Sequence, residues 1–299
     1  MSAIPFVREF DFEYGRCDQM SPRIRRLIAP NPGSFTFTGT GVFIIGTGEV
    51  AVLDPGPALP EHEAALDAAL DGERVSHVLV THHHLDHSPL AHTLAQKHGC
   101  KVYGRMPRVT EPEGGEVRME AGDDLGFQPD VQIEDGAVFE GPDWTLTALH
   151  TPGHTSNHVC YALRQENALF SGDHVMGWST SVVSPPDGSM SDYLAQLKRV
   201  HAMKFATIWP THGPQITEPD PFLEAYIAHR ENREAQVLAQ LQNGRETIKD
   251  MVAVMYADVD KRLHPAAAHS VLAHMIHLVE QGKAVCEGAP GLDTRYTLA

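Results

Sequence analysis

Apolar and polar residues along the chain fall into short runs with strand and helix periods. Gly41 to Asp54 holds two β-rich runs, GVFIIG and EVAVLD, parted by Thr47-Gly48, which is a hairpin pattern. Pro60 to Leu70 is rich in alanine, glutamate and leucine and predicts a helix. Val75 to Val80 is a short apolar run that predicts a buried strand. Ser88-Pro89 then offers an N-cap and a first-turn proline for a helix to about His98, stopped by Gly99. Further strands are expected at Asp130 to Ile133, Trp144 to His150, His158 to Leu163, Ala168 to Ser171 and Ala206 to Trp209. A helix is expected from Ser191 to His201. Strands mostly precede helices, and loops rich in Gly, Pro and Asp sit at their ends. This predicts a layered α/β architecture of two sheets covered by helices.

The pattern changes near Gln242. A long helix starting near Pro221 is broken by Asn243-Gly244. Two helical stretches follow, Ile248 to Tyr256 and Ala266 to Gln281, then a strand KAVCE, a Gly- and Pro-containing turn and a strand TRYTL. Helix, helix and a two-stranded wing outline a winged-helix module, dividing the chain into residues 1–243 and 244–299. Arg105 to Gly122 is polar, contains Gly114-Gly115, and is expected to form a mobile loop over the site.

The chain has 299 residues, 42% of them hydrophobic and 21% charged, which excludes disordered and fibrous classes. That length predicts one large domain, or one plus a small second one, and it buries a core without disulfides. The four cysteines, Cys17, Cys100, Cys160 and Cys286, form no C-x-x-C pair, which favours a reducing compartment. The first twenty residues lack a signal-peptide core, and no stretch approaches the ~20 apolar residues of a membrane span. A soluble cytoplasmic protein is therefore expected. Acidic residues number 39 against 23 basic, a net charge of −16 that repels polyanions. Residues 244–299 carry six basic and seven acidic side chains, leaving −15 for the rest. Neither region offers a basic recognition surface, nor aromatic and basic residues interleaved for stacking single strands.

Histidine changes the picture. Of 19 histidines, four lie between positions 82 and 87. His82 and His84 face the same side of an extended segment and can bind one ion. Asp86 and His87 lie past a turn and can reach a second. Imidazole and carboxylate donors suit zinc, and also iron or manganese. Three later loops add ligands: His150-Thr151-Pro152-Gly153-His154 supplies His154, Ser171-Gly172-Asp173 supplies Asp173 as a bridging carboxylate, and Pro210-Thr211-His212-Gly213-Pro214 supplies His212. A single His or Asp in such a loop is ordinarily a turn or cap residue, but four segments at strand ends together outweigh that. His83 points away from its neighbours. His150 and His158 are expected to support ligands or fill the core, and His174 is open between exposure and substrate contact. Trp178, Ser179 and Thr180 either line the cleft or form a plain loop. His229, Arg230 and Arg233 share a helical stripe whose default is a solvated face.

The ordered set H-x-H-x-D-H, T-P-G-H-T, S-G-D and H-G-P resembles the metallo-β-lactamase superfamily, over about Asn31 to Pro214. The resemblance implies an αββα sandwich with metals at one edge. It also implies His82, His84 and His154 on the first ion, Asp86, His87 and His212 on the second, and Asp173 between them. Asn31-Pro32-Gly33 with FTFTGTGVFIIG, PTHGP, HRENR and the winged helix resemble the beta-lactamase-like protein 2 group. Its members carry a C-terminal winged helix, and the best-known kind cuts single-stranded RNA. Asp173 stands where one large class of zinc β-lactamases uses Cys, which disfavours penicillin hydrolysis. Thr211 stands where many relatives have Gly, and the glutathione-binding C-terminal region of glyoxalase II is not found.

Two cations about 3.5–4 Å apart share a hydroxide and polarise a carbonyl or phosphoryl oxygen. Asp86 is the expected catalytic residue, orienting that hydroxide or accepting its proton. The leading expectation is a metal-dependent hydrolase using two zinc ions on a small ester, thioester or lactone. A single-stranded RNA endoribonuclease ranks second on charge. A winged-helix nucleic-acid-binding regulator with a structural metal ranks last, because the ligand set is complete. The expected partner is a small-molecule substrate rather than a membrane, with self-association left open.

Overall fold

A computed structural model describes residues 4–108 and 122–299 of the chain. Runs such as Gly41–Ile45 are apolar at every position, so a strand built from them must be covered on both faces. The fold does this with two face-to-face sheets. The first is ordered β1 (Asp18–Gln19), β2 (Ile24–Ile28), β3 (Gly41–Ile45), β4 (Glu49–Leu53), β5 (Arg74–Leu79), β6 (Lys101–Gly104) and β7 (Val131–Gln132). Its first four strands pair antiparallel and the rest parallel. The second comprises β8 (Val138–Glu140), β9 (Thr145–His150), β10 (Val159–Leu163), β11 (Ala168–Gly172) and β12 (Thr207–Pro210), in the spatial order β12-β11-β10-β9-β8. Only β11 and β12 run parallel in it.

Alternate residues of one strand feed different cores. Phe43 and Ile45 point between the sheets, where they meet Leu146, Tyr161 and Phe170. Val42 and Ile44 point outward onto α1 (Pro60–Ala69) and α2 (Ala91–His98), through Leu66 and Leu94. The outer face of the second sheet is covered by α3 (Met190–Ala202) and α4 (Pro219–Gln242), through Tyr193, Leu197, Phe222 and Tyr226. Each such buried side chain contributes about 1.5–3 kcal/mol of transfer free energy. The result is the expected αββα order of layers.

The C-terminal region forms α5 (Ile248–Met255), α6 (His264–Glu280) and an antiparallel hairpin of β13 (Ala284–Cys286) and β14 (Tyr296–Leu298). Its core gathers Met251, Leu272, Met275, Leu278 and Tyr296 around Val237 and Leu241. The last two belong to α4, so this helix packs on the second sheet with one end and in the winged helix with the other.

Three features differ from the sequence reading. Strands β1, β2, β6 and β8 are not among the predicted ones. Ser88 does not cap α2: Leu90 occupies the N-cap position, and the Ser88 hydroxyl serves Asp124 and the His84 carbonyl. Gly99 does end that helix, in the left-handed conformation expected of a C-terminal stop. Positions 109–121 of the anticipated loop lie outside the described residues. Among the described residues no helix is long and apolar enough to cross a membrane.

Candidate metal centre

The predicted residues meet at one edge of the sandwich because each follows the end of a strand. Thr81 to His87 links β5 to α2, His154 lies between β9 and β10, Asp173 follows β11, and His212 follows β12. Parallel pairing of β11 with β12 places the last two loops side by side. The turns are tight. Gly172 has φ 51°, and a Cβ there would sit 2.6 Å from His158 Nε2. Gly153 has φ 142°, and its Cβ would strike the Tyr193 backbone.

All seven side chains are buried, none more than 7% exposed. Three groups of potential ligand atoms each lie within 4.8 Å of one another: His82, His84 and His154; His82, His87 and Asp173; Asp86, His87 and His212. Each imidazole has one nitrogen fixed from outside. His87 Nδ1 donates to Asp54 Oδ2 at 2.9 Å, His154 Nδ1 to the Val182 carbonyl at 2.7 Å, and His212 Nδ1 to the Gly39 carbonyl at 3.1 Å. Thr81 Oγ1 donates to Asp54 Oδ2, so it accepts from His82 Nδ1 at 2.9 Å. His84 is reversed: its Nε2 lies 3.4 Å from Asp123, and its Nδ1 faces His82 Nε2 at 2.9 Å. The inner nitrogens therefore face one space, the arrangement in which histidines bind metal.

The donor set fits a divalent cation. His87 Nε2 and Asp173 Oδ1 are buried without a hydrogen-bond partner, 3.6 Å apart. Burial alone would raise the Asp86 carboxyl, but the charge of His87, 3.4 Å away, and the close His212 imidazole hold it far below its ordinary range. Asp173 is lowered in the same way, by His212 and His87 against burial. The reciprocal effect overcomes burial at His87, which is raised, and at His212, raised to about 10 by Asp173 and Asp86. Two buried carboxylates thus demand positive charge in this space, which protons or a cation can supply.

Comparison with known proteins settles the family. Residues 36–212 match the Metallo-beta-lactamase superfamily. The chain belongs to that superfamily. Residues 247–292 match the Beta-lactamase associated winged helix domain. The Beta-lactamase-like protein 2 homolog of Drosophila melanogaster is 32% identical over 277 residues, covering 89% of this chain and 90% of its own. An Atrochrysone carboxyl ACP thioesterase of Cryptosporiopsis sp. is 31% identical over 298 residues, covering 92% and 85%. A metallo-beta-lactamase family protein of Thermus thermophilus has the same fold, with a TM-score of 0.76 at 23% identity, covering 94% and 100%. The chain is a hydrolase of this superfamily.

Several supporting residues of the hydrolase were not found from sequence. Asp54, at the end of β4, is 1% exposed and takes up a left-handed φ of 49°. It accepts from Thr81 N and Oγ1, both at 2.7 Å, and from His87. An Asp closing an apolar strand before Pro-Gly was the available signal, and it reads equally well as an ordinary turn. Asp123 lies 3.3 Å from His83 Nε2 as well as beside His84, and these bonds pull its carboxyl down. His158, expected to support the site, accepts from the Asp173 backbone N–H at 3.1 Å and contacts Thr151 Oγ1 at 2.9 Å. His150 instead contacts the Ser156 carbonyl. His174 is neither exposed nor in the cleft: its ring is fully buried, 5.0 Å from that of Tyr193. Arg230 is 4% exposed, so the solvated-face expectation fails there. Thr211 fits without a glycine: its carbonyl accepts from Gly41 N at 2.8 Å and its hydroxyl reaches Asp54.

A cavity of about 170 Å³ opens on His84, Asp86, His154, Asp173 and His212. Its other walls include Phe35, Met176, Trp178, Thr180 and Val182, so the Trp178 loop does line the cleft. Trp178 is held by a stack on Phe37, with centroids 4.8 Å apart. Among the described lining residues there is no Lys or Arg. A fourth group, His201, Asp220 and Glu224, lies on the surface with Lys204 bound to Asp220.

Proposed function

We propose that this hydrolase cleaves a small, neutral acyl substrate, with a thioester first and an ester or lactone in the same class, using two adjacent divalent cations. Zinc is the favoured metal, with iron or manganese fitting the same donors. His82, His84 and His154 would hold one ion, Asp86, His87 and His212 the other, and Asp173 would lie between. Residues 1–243 are taken as the catalytic unit and 244–299 as the winged helix. The observation that carries the substrate class is the cavity, whose wall beyond the His and Asp side chains combines Phe35, Met176, Trp178 and Val182 with Ser34, Ser179 and Thr180 and holds no Lys or Arg among the described residues. A polyanion requires Lys or Arg to neutralise its phosphates. A relative named as an acyl-carrier thioesterase supports the same class.

When bound, the two cations make water a nucleophile at neutral pH and polarise the acyl oxygen. Asp86, its Oδ2 accepting from Thr40 Oγ1 at 3.2 Å, orients the attacking water and takes its proton. Phe35, Met176 and Val182 enclose the acyl chain and exclude bulk water. The leaving thiolate or alkoxide departs with a proton returned from this carboxyl or from solvent.

The test is a panel of thioesters, esters and lactones beside unstructured RNA at several salt concentrations, with wild type and Asp86→Ala. Acyl hydrolysis that the substitution abolishes in a folded protein is the expected result. Metal-dependent RNA cutting without acyl hydrolysis would overturn the substrate class.

A further inference from the structure

Helix α4 sends one cation into the back of the cleft wall. A buried guanidinium is costly unless its donors and its charge are engaged. Arg230 Nη2 donates to the Ser181 carbonyl, and the guanidinium lies 5.1 Å from the ring centroid of Tyr193 and 6.0 Å from that of Tyr226. Tyr226, one turn earlier on α4, grips the same segment. Its hydroxyl accepts from Ser181 N at 2.6 Å and donates to the Ser179 carbonyl at 3.2 Å. The next residue, Val182, lines the cavity and accepts from His154 Nδ1. Segment 179–182 is therefore fastened to α4 on one side and carries an imidazole on the other.

We propose that Arg230 is a positioning residue for His154. By pinning the Ser181 carbonyl it fixes the adjoining Val182 carbonyl, which sets the tautomer and aim of the His154 ring. The arrangement gives the helix shared with the winged-helix core a direct hold on the metal centre. The inference rests on the reading of His154 as a metal ligand.

The experiment measures zinc affinity by chelator competition on the full chain, with kcat, KM, far-UV circular dichroism and Tm on the same samples. Partners that orient metal ligands typically govern affinity by 10–100-fold. Arg230→Met is expected to weaken zinc binding by about tenfold or more and to lower kcat with little change in KM. Arg230→Lys, which keeps the charge and one donor, recovers most of the loss. Tyr226→Phe, which keeps the ring and removes only the hydroxyl, shifts affinity in the same direction by less. Should Arg230→Met fail to fold, the Lys and Phe variants decide. Lower Tm with zinc affinity and kcat at wild-type values in every folded variant would make Arg230 merely structural and overturn the proposal. His154→Ala, run in parallel, separates the two layers: wild-type zinc affinity in that variant refutes the ligand reading itself.

Discussion

Histidine is abundant both in the candidate metal centre and in the winged-helix region, yet it does different work in each. In the centre, His82, His87, His154 and His212 each give Nδ1 to an outer acceptor and turn Nε2 to a common space. In the C-terminal region His264 bonds the Tyr256 carbonyl, His269 contacts Ser184, His277 pairs with Glu234 at 2.5 Å, and His274 is buried in the core. Among the described residues none of these four joins a ligand group. Convergence, enforced by a second set of acceptors, separates a site from a composition. Strand ends provide it, since several loops open at one sheet edge. Helices α5 and α6 spread their polar side chains around two cylinders.

The contrast can be broken at several strengths. Asp173→Ala removes the carboxylate that groups with His82 and His87. Turnover is expected to fall by roughly three orders of magnitude, a loss of about 4 kcal/mol in transition-state stabilisation, with an unchanged far-UV spectrum. Its counterpart is Leu272→Ala, in the core of the winged helix. It should cost about 2–5 kcal/mol in denaturant unfolding while zinc affinity stays within about twofold. Equal loss of metal there would mean that the two regions are one cooperative site. Asp54→Asn keeps the volume but removes the charge that orients His87, and chelator competition should show about 10–100-fold weaker zinc binding.

The smallest effect concerns pH. Burial, reinforced by the charge of Arg230, pushes His274 down to about 3 from its ordinary 6.5. The unfolded chain then binds this proton more readily than the folded one. The contribution to stability is full above pH 6.5 and is lost as pH falls toward 3. His274→Leu should therefore flatten part of the acid-side decline in Tm. A decline of unchanged slope would place the acid sensitivity elsewhere, for instance in the equally depressed His174.

The sequence made the candidate centre legible because its His and Asp residues come in short, dense motifs. It hid what supports them because that support is tertiary. Asp54 earns its role from Thr81 and His87, residues 27 and 33 positions away. Arg230 lies on a charged stripe, and only the packing of Tyr193 and the 179–182 segment against α4 buries it. Strand β2 was obscured by its arginines: Arg25 is neutralised by Glu73 at 2.8 Å, and Arg26 lies beneath Phe10. Strands β1, β6 and β8, of two, four and three residues, are too short for a period to emerge.

The most direct test is elemental analysis of the folded full chain after saturation with zinc, combined with anomalous diffraction. The account predicts two neighbouring ions per chain, one against His82, His84 and His154 and the other against Asp86, His87 and His212. A single ion, an unfilled pocket after saturation, or ions bound only at other residues would contradict it.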